Sequence, residues 1–144
     1  MNAPPIHRSP AREAAEGLLK AADLPTSDLT DGHMKDFFYC GPAAAPVGLV
    51  GIEMCGDCAL LRSLAVAESA RSTGLGRALV ARAEEHARSS GARSLYLLTT
   101  TAETFFHRLG YIASPRETAP PGIRESREFA DICPASSAFM VKHL

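Results

Sequence analysis

Tryptophan is absent from this sequence, aromatic residues make up only 6% of it, and neither sign of charge prevails, with 15 lysines and arginines against 16 aspartates and glutamates. Without a basic excess there is no electrostatic footprint for a nucleic-acid backbone or an anionic membrane. The expected partner is therefore a small molecule. No apolar run approaches the ~20 residues that span a bilayer, and the opening stretch MNAPPIHRSPAREAAEG lacks the apolar core of a secretory signal. A cytoplasmic location is the resulting expectation. Cysteines are sparse: Cys40, Cys55, Cys58 and Cys133 are too few in 144 residues for a disulfide framework and are expected to be free thiols. Cys55-x-x-Cys58 has no second Cys/His pair at metal-binding spacing, so no metal is expected.

What is present fits one globular domain over residues 1–144, with 46% hydrophobic and 22% charged residues. Ser9 as N-cap and Pro10 at the first helical position predict a helix from Pro10 to Ala22, and a second, short helix is expected near Ser27 to Gly32. KDFFYC (35–40), PVGLVGIEM (46–54) and ALLRSLAV (59–66) read as strands of a meander, the last two joined by a two-residue turn at Gly56-Asp57. From Leu75 the apolar spacing becomes helical through Leu79, Val80, Ala83 and Ala87, ending near Ser89-Ser90-Gly91. SLYLLT (94–99) is a continuous apolar run, as expected of a strand buried on both faces. Strand, helix and strand in this order predict a right-handed crossover, with 59–66 and 94–99 parallel. A helix within TAETFFHRLGY (101–111), a strand YIAS (111–114) and a final strand AFMVKHL (138–144) complete a mixed α/β sheet of six to seven strands with helices on both faces.

Between the strand ending at Val66 and the helix at Leu75 lies AESARSTGLGRAL. Gly74 and Gly76 remove side chains where a backbone can approach a ligand, and the N–H groups from Thr73 to Arg77 precede the first helical acceptors. With Arg71 and Arg77 beside them they suit a pyrophosphate. The third glycine of a dinucleotide fingerprint and the Gly-Lys-Ser/Thr of a Walker loop are both missing. A capping loop without a ligand is the other reading of the glycines alone.

LLRSLAVAESARSTGLGRALVARAEEHA resembles the acetyl-CoA-binding motif of the GNAT N-acetyltransferases, and LYLLTTTAETFFHRLGY is similar to the next motif of that family, an Ala-x-x-Phe-Tyr helix ending in Gly-Phe or Gly-Tyr. The resemblance implies the GNAT fold and acetyl-CoA as cosubstrate. It implies that the backbone of Arg71, Ser72, Thr73, Gly74, Leu75 and Gly76 holds the pyrophosphate with Arg77 adjacent. It also implies that Leu64, Ala65 and Val66 offer backbone groups to the pantetheine arm and the acetyl carbonyl, Leu64 being the catalytic donor, and that Thr99, Phe105 and Phe106 line the cofactor. Members often dimerise, so a homodimer is a further implication. With the tail REFADICPASSAFMVKHL, the second motif is most similar to the arsenic-resistance-associated group. That suggests a small amino compound as acceptor, an organoarsenical amino acid among them, and capture of trivalent arsenic by Cys55 and Cys58 as a minor possibility.

The family tyrosine is replaced here by Phe106, which has no proton to give to the leaving thiolate. His107 is the adjacent candidate but lies about 100° around the helix, and Tyr96 and Tyr111 are the other phenols nearby. In the expected hairpin Glu53 faces Leu60 and Gly51 faces Arg62, which puts Glu53, Arg62 and both cysteines on one face. Glu53 is then either the general base or the ion-pair partner of Arg62. Arg62, Arg124 and Arg127 are the candidates for holding an anionic group of the acceptor, with Arg116 in the same polar loop. The reading is an acetyltransferase acting by direct attack; the rival is an acyl-CoA-binding or arsenic-sensing protein of the same fold.

Overall fold

The computed structural model describes residues 5–126, 129–130 and 137–144. Along the chain run β1 (His7–Arg8), α1 (Arg12–Ala21), β2 (Phe37–Cys40), β3 (Gly48–Cys55), β4 (Cys58–Val66), α2 (Leu75–Ser89), β5 (Ser94–Thr99), α3 (Glu103–Arg108), β6 (Ile112–Ala113), α4 (Pro121–Arg124) and β7 (Ala138–His143). The strands form one seven-stranded sheet in the order β1-β2-β3-β4-β5-β7-β6. Among the described residues only the β4–β5 pair is parallel, as a crossover through α2 requires. The turn at Gly56-Asp57 pairs Cys55 with Cys58, Glu53 with Leu60 and Gly51 with Arg62, the expected register.

The period-2 alternation of the strands sorts the core onto two faces. On one face, α2 and α3 press Leu75, Leu79, Val80, Ala83, Ala87 and Phe106 against Phe38, Val50, Ile52, Leu61, Leu95 and Leu97. On the other, Ala15 and Leu19 of α1, with Leu29 and Met34, cover Phe37, Leu49 and Ala65. Beside them Ile123 of α4 and Ala119 cover Leu60 and Phe139. Gly51 is required where it stands, because a Cβ there would collide with the Phe37 ring.

Three local expectations are corrected. α1 begins at Arg12 with Ala11 as N-cap and no side-chain cap; Ser9 instead takes φ +63 and donates its N–H to the Phe37 carbonyl, so it ends β1 rather than starting the helix. The short helix expected at Ser27 to Gly32 is a 3₁₀ segment at Asp31–Asp36, capped by Thr30 and His33, and it delays β2 to Phe37. β6 shrinks to Ile112–Ala113 because the Tyr111 N–H donates to the Phe106 carbonyl and closes the end of α3, its side chain being wholly buried in the α2 face of the core. Among the described residues no helix is long and apolar enough to cross a membrane.

Candidate active site

The parallel pairing of β4 and β5 starts at Cys58↔Ser94 and stops at Leu60↔Tyr96, although β4 runs on to Val66 and β5 to Thr99. The cause lies in β4. Its register against β3 slips by one residue between Leu49↔Ala65 and Gly51↔Arg62, and Ser63 in that interval has φ +59. An extra residue in the left-handed region makes a bulge that bends the strand and re-aims the residues after it. A non-glycine residue there costs about 1 to 2 kcal/mol, so the surrounding packing must hold it. Where the two strands part, a cleft of about 660 Å³ opens. Its floor is Leu61 to Leu64, one wall is Leu97 to Ala102 with Phe106, and the rim holds Lys20, Asp23, Leu24 and Pro25, with Ser137 beside β7.

At the end of β4 the backbone turns through Ser72 at φ +64 and Gly74 at φ +83, the latter capping α2 in the left-handed region. Alternation of left- and right-handed residues folds successive N–H groups into a concave nest. The first helical bond is Ala78 N–H to Gly74 C=O. Among the described residues, the N–H groups of Ser72, Thr73, Gly74, Leu75, Gly76 and Arg77 have no acceptor. The residues from Arg71 to Gly74 are exposed, and a Cβ on Gly74 would meet nothing within 4 Å. Thr73 Oγ1 donates to the Ala70 carbonyl at 2.6 Å and Arg71 Nε to the Val66 carbonyl at 3.1 Å, which ties the nest to the strand end. Phe105 lies against the start of α2, its ring 3.4 Å from where a Gly76 Cβ would stand.

Beneath the cleft floor Arg62 is buried, with a side-chain exposure of 0%. Its Nη1 donates to Asp28 Oδ2 at 2.5 Å and to Glu53 Oε2 at 2.8 Å, its Nη2 to Asp28 Oδ1 at 2.8 Å, and its Nε to Ser63 Oγ at 3.1 Å. Burial pushes the Asp28 carboxyl up, but the hydrogen bonds and charge of Arg62 outweigh it and hold the group below its usual range. Glu53 therefore occupies the ion-pair position, with His33 Nε2 3.7 Å from its other oxygen, and it is not among the residues lining the cleft. Arg62 lines the cleft with its charge already met by two carboxylates.

Phe106 reaches the cleft, packed edge-on between Phe105 and Tyr111 at 5.1 and 5.5 Å. The alternative acids do not. His107 is exposed on another side of α3, beside Ile112 and Ala113. Tyr111 has no exposure and donates to Glu84 Oε2 at 2.9 Å; burial, then the Glu84 charge and hydrogen bond, push its phenol far above the ordinary range. Tyr96 stacks on Phe139 at 5.4 Å, and burial followed by the nearby Cys58 and Asp57 raises it. Thr99 lines the cleft, and its Oγ1 accepts the Ala102 N–H at 3.0 Å at the start of α3.

Of the expected acceptor contacts, Arg124 is turned to its own loop, donating to the Glu117 and Ala119 carbonyls, and is absent from the cleft lining. Arg116 donates to the Ser137 carbonyl at 3.1 Å. Arg127 and Cys133 lie outside the described residues. Cys55 and Cys58 flank the hairpin with sulfurs 3.1 Å apart; burial first, then the Cys58 hydrogen bond and neighbouring negative charge, raise the Cys55 thiol. Among the described residues no three His, Cys, Asp or Glu side chains gather as a metal site. Asp28, Ser63 and Ser137 join the site without any sequence signal. Asp28 meets Arg62 across 34 positions of chain, and Ser63 has nothing local that announces a left-handed residue.

The model of the acetyltransferase (GNAT) family matches residues 11–111. An uncharacterized N-acetyltransferase of Chlorobaculum tepidum is 35% identical over 92 residues, which is 63% of this chain and 59% of that protein. The N-acetylglutamate synthase of Neisseria gonorrhoeae, solved with coenzyme A and N-acetyl-glutamate, superposes with a TM-score of 0.81 at 18% identity, over 100% of this chain and 36% of that one. Rv2747 of Mycobacterium tuberculosis, solved with CoA and NLQ, gives 0.77 at 18% identity, over 98% of this chain and 99% of that one. The chain thus spans about three fifths of the Chlorobaculum relative and about a third of the synthase. The two structural likenesses establish the fold.

Proposed function

The chain belongs to the GNAT acetyltransferase family, and from that premise we propose that it transfers an acetyl group from acetyl-CoA to the amine of a small molecule by direct attack within a ternary complex. The observation that carries the reading is the nest of N–H groups without acceptors from Ser72 to Arg77, standing at the end of the strand whose bulge opens the cleft. Open space at Gly74 and the cations Arg71 and Arg77 fit a pyrophosphate there. In this reading the backbone of Leu64, Ala65 and Val66 would face the pantetheine arm, with Thr99 and Phe106 on the cleft wall and Phe105 beside Gly76. Acetyl-CoA supplies the acetyl group as a thioester.

The Leu64 N–H, re-aimed by the bulge at Ser63, is the donor for the carbonyl oxygen that gains charge, a contribution of about 3 to 4 kcal/mol for such groups. Glu53 and Asp28 hold Arg62 and through it the bulge; the acceptor amine loses its proton to water. The leaving thiolate goes unprotonated by the protein, because Phe106 stands where a phenol would. A thiol of pKa ~8.5 leaves as thiolate at pH 7 at a cost of only about 2 kcal/mol. The neighbours solved with N-acetyl-glutamate and NLQ support amino-acid-like acceptors. The likeness to the arsenic-resistance-associated group adds amino-substituted arsenicals to that class. Free thiols and a small-molecule acceptor suit a cytoplasmic enzyme.

The test is acetyl-CoA consumption, followed as free thiol, against a panel of amino acids and amino-substituted arsenicals. Thiol release that depends on one acceptor class is the expected result. Silence across the panel together with measured CoA binding overturns the reading in favour of a binding protein, the alternative that Phe106 motivates. Phe106→Tyr separates the two: an enzyme gains turnover, whereas a binding module stays at background.

A further inference from the structure

Away from the cleft, the two-residue turn of the β3–β4 hairpin brings a pair of free thiols into contact. Cys55 and Cys58 face each other directly across the ladder, on either side of Gly56-Asp57. Directly paired residues of an antiparallel ladder stand about 4.5 to 5.5 Å apart at Cα, within the ~4.4 to 6.8 Å that a disulfide spans. Their sulfurs are 3.1 Å apart, closer than the roughly 3.5 to 4.0 Å of ordinary carbon contacts. Each sulfur also lies against the carbonyl of the other residue, at 3.3 and 3.1 Å. Cys58 is buried, whereas Cys55 is half-buried beside the exposed turn, so a reagent from solvent meets Cys55 first. On its other side Cys55 is covered by α4: a Cβ on Gly122 would stand 2.6 Å from Cys55 Cβ, and the wholly buried Ile123 packs in one cluster with Cys58. With no side chain at Gly122 to absorb it, a shift of Cys55 passes to the α4 backbone.

We propose that Cys55 and Cys58 form a reversible dithiol–disulfide couple, oxidised by small disulfides, and that α4 is the element that registers its state. Neither cysteine lines the cleft, and the couple does not depend on the acetyl-transfer reading. The chemistry is two successive exchanges. The Cys55 sulfur attacks one sulfur of the reagent R–S–S–R, which forms a mixed disulfide and releases R–SH; the Cys58 sulfur then attacks the Cys55 sulfur, which closes the intrachain bond and releases the second R–SH. The cysteines give up two electrons and two protons, and the reagent takes up both. Contact between the sulfurs makes the second exchange intramolecular, so the mixed disulfide does not accumulate. Burial first, then the hydrogen bond and charge of Cys58 and the negative charge of Glu53 and Asp57, hold the proton on Cys55. The first exchange is therefore slow, and an uncharged reagent suits it better than an anionic one. Closing the bond draws the sulfurs together by about 1 Å and removes both protons that now link the thiols to each other and to the carbonyls, which moves Cys55 beneath Gly122.

The experiment treats the full chain with excess hydroxyethyl disulfide, a small uncharged disulfide, and follows intact mass, peptide maps and amide NMR spectra. The expected product is lighter by two hydrogen atoms, and the loss maps to the peptide that holds Cys55 and Cys58. It should exceed the mixed disulfide at Cys55 by at least about 10-fold and revert to two thiols with dithiothreitol. The amide signals of Gly122, Ile123 and Arg124 should shift between the two states, while those of the nest from Ser72 to Arg77 stay in place. Cys58→Ser should stop at the mixed disulfide on Cys55. Cys55→Ser, at the half-buried position where the hairpin tolerates change, should leave Cys58 unmodified. A mixed disulfide that persists in the unsubstituted protein, no reaction at either thiol, or a bond from either residue to Cys40 or Cys133 overturns the couple. A Cys55–Cys58 bond that leaves the α4 signals unmoved overturns the role of α4.

Discussion

Replacing Asp28 with alanine removes one of the two carboxylates that, among the described residues, engage a guanidinium with no contact with solvent. The two partners are not equivalent. The Asp28 side chain is 3% exposed and meets Arg62 through both oxygens; that of Glu53 is 24% exposed and contributes one bond. Breaking a buried pair from one side costs roughly 3 to 5 kcal/mol, because it leaves a charge in low dielectric. Glu53 still partly neutralises Arg62 in the variant, so the lower end, about 3 kcal/mol, applies to Asp28→Ala. Solvent screens Glu53, and Glu53→Ala should cost about 1 kcal/mol. For a domain of this size those figures correspond to drops in Tm of roughly 9 and 3 °C, read best as a shift of the urea midpoint at constant m-value.

The same pair predicts a pH dependence. The folded-state pKa of Asp28 is depressed, so its stabilisation is present above the unfolded carboxylate value of ~3.9 and is lost as pH falls below that, through the lower folded value. The gap between wild type and Asp28→Asn should be widest near pH 7 and should narrow below about pH 4. Glu53→Ala costing as much as Asp28→Ala, or a gap that stays constant from about pH 7 to pH 3, would refute the reasoning that burial sets the ranking.

Phe106→Tyr should raise turnover by about 100-fold, the low end for a general acid, whereas wild-type turnover rises from about pH 6 to 9 as the thiolate becomes the stable form; a flat profile in stopped assays of thiol release counts against unassisted thiolate departure. Tyr111→Phe should cost about 1 kcal/mol through the lost bond to Glu84 and leave the rate and pH profile unchanged, and an altered profile would restore Tyr111 as an acid. Gly74→Ala, at φ +83, should cost about 1 to 2 kcal/mol in urea unfolding and weaken CoA binding in calorimetry by distorting the nest. Changing Cys55 and Cys58, whose sulfurs are 3.1 Å apart, both to serine tests the minor reading of arsenic capture: lost arsenite binding supports it, and unchanged binding removes it.

The sequence by itself determined the elements whose signals are local. The change from period 2 to period 3.6 after Val66 located β4 and α2, the Gly56-Asp57 turn set the β3–β4 register from Cys55↔Cys58 as far as Gly51↔Arg62, and the crossover made β4 and β5 parallel. The nest was legible too, since glycines before a helix start carry their meaning in the backbone. β1 was not: two residues have no periodicity to read, and the strand exists because β2 offers it hydrogen bonds, whereas β6 was placed within 111–114 and only its limits were missed. Tertiary structure alone decided the chemistry between distant residues. Both readings of Glu53 fitted the hairpin, and Asp28, arriving from the segment after α1, completed the pair with Arg62. Tyr111 and Tyr96 carried phenols near the right place in sequence, but burial against Glu84 and stacking on Phe139 took both out of the cleft. The cleft itself comes from Ser63, whose left-handed backbone no local pattern requires; it is held there because β4 must pair with β3, cover Arg62 and leave β5, three demands that meet only in the folded chain.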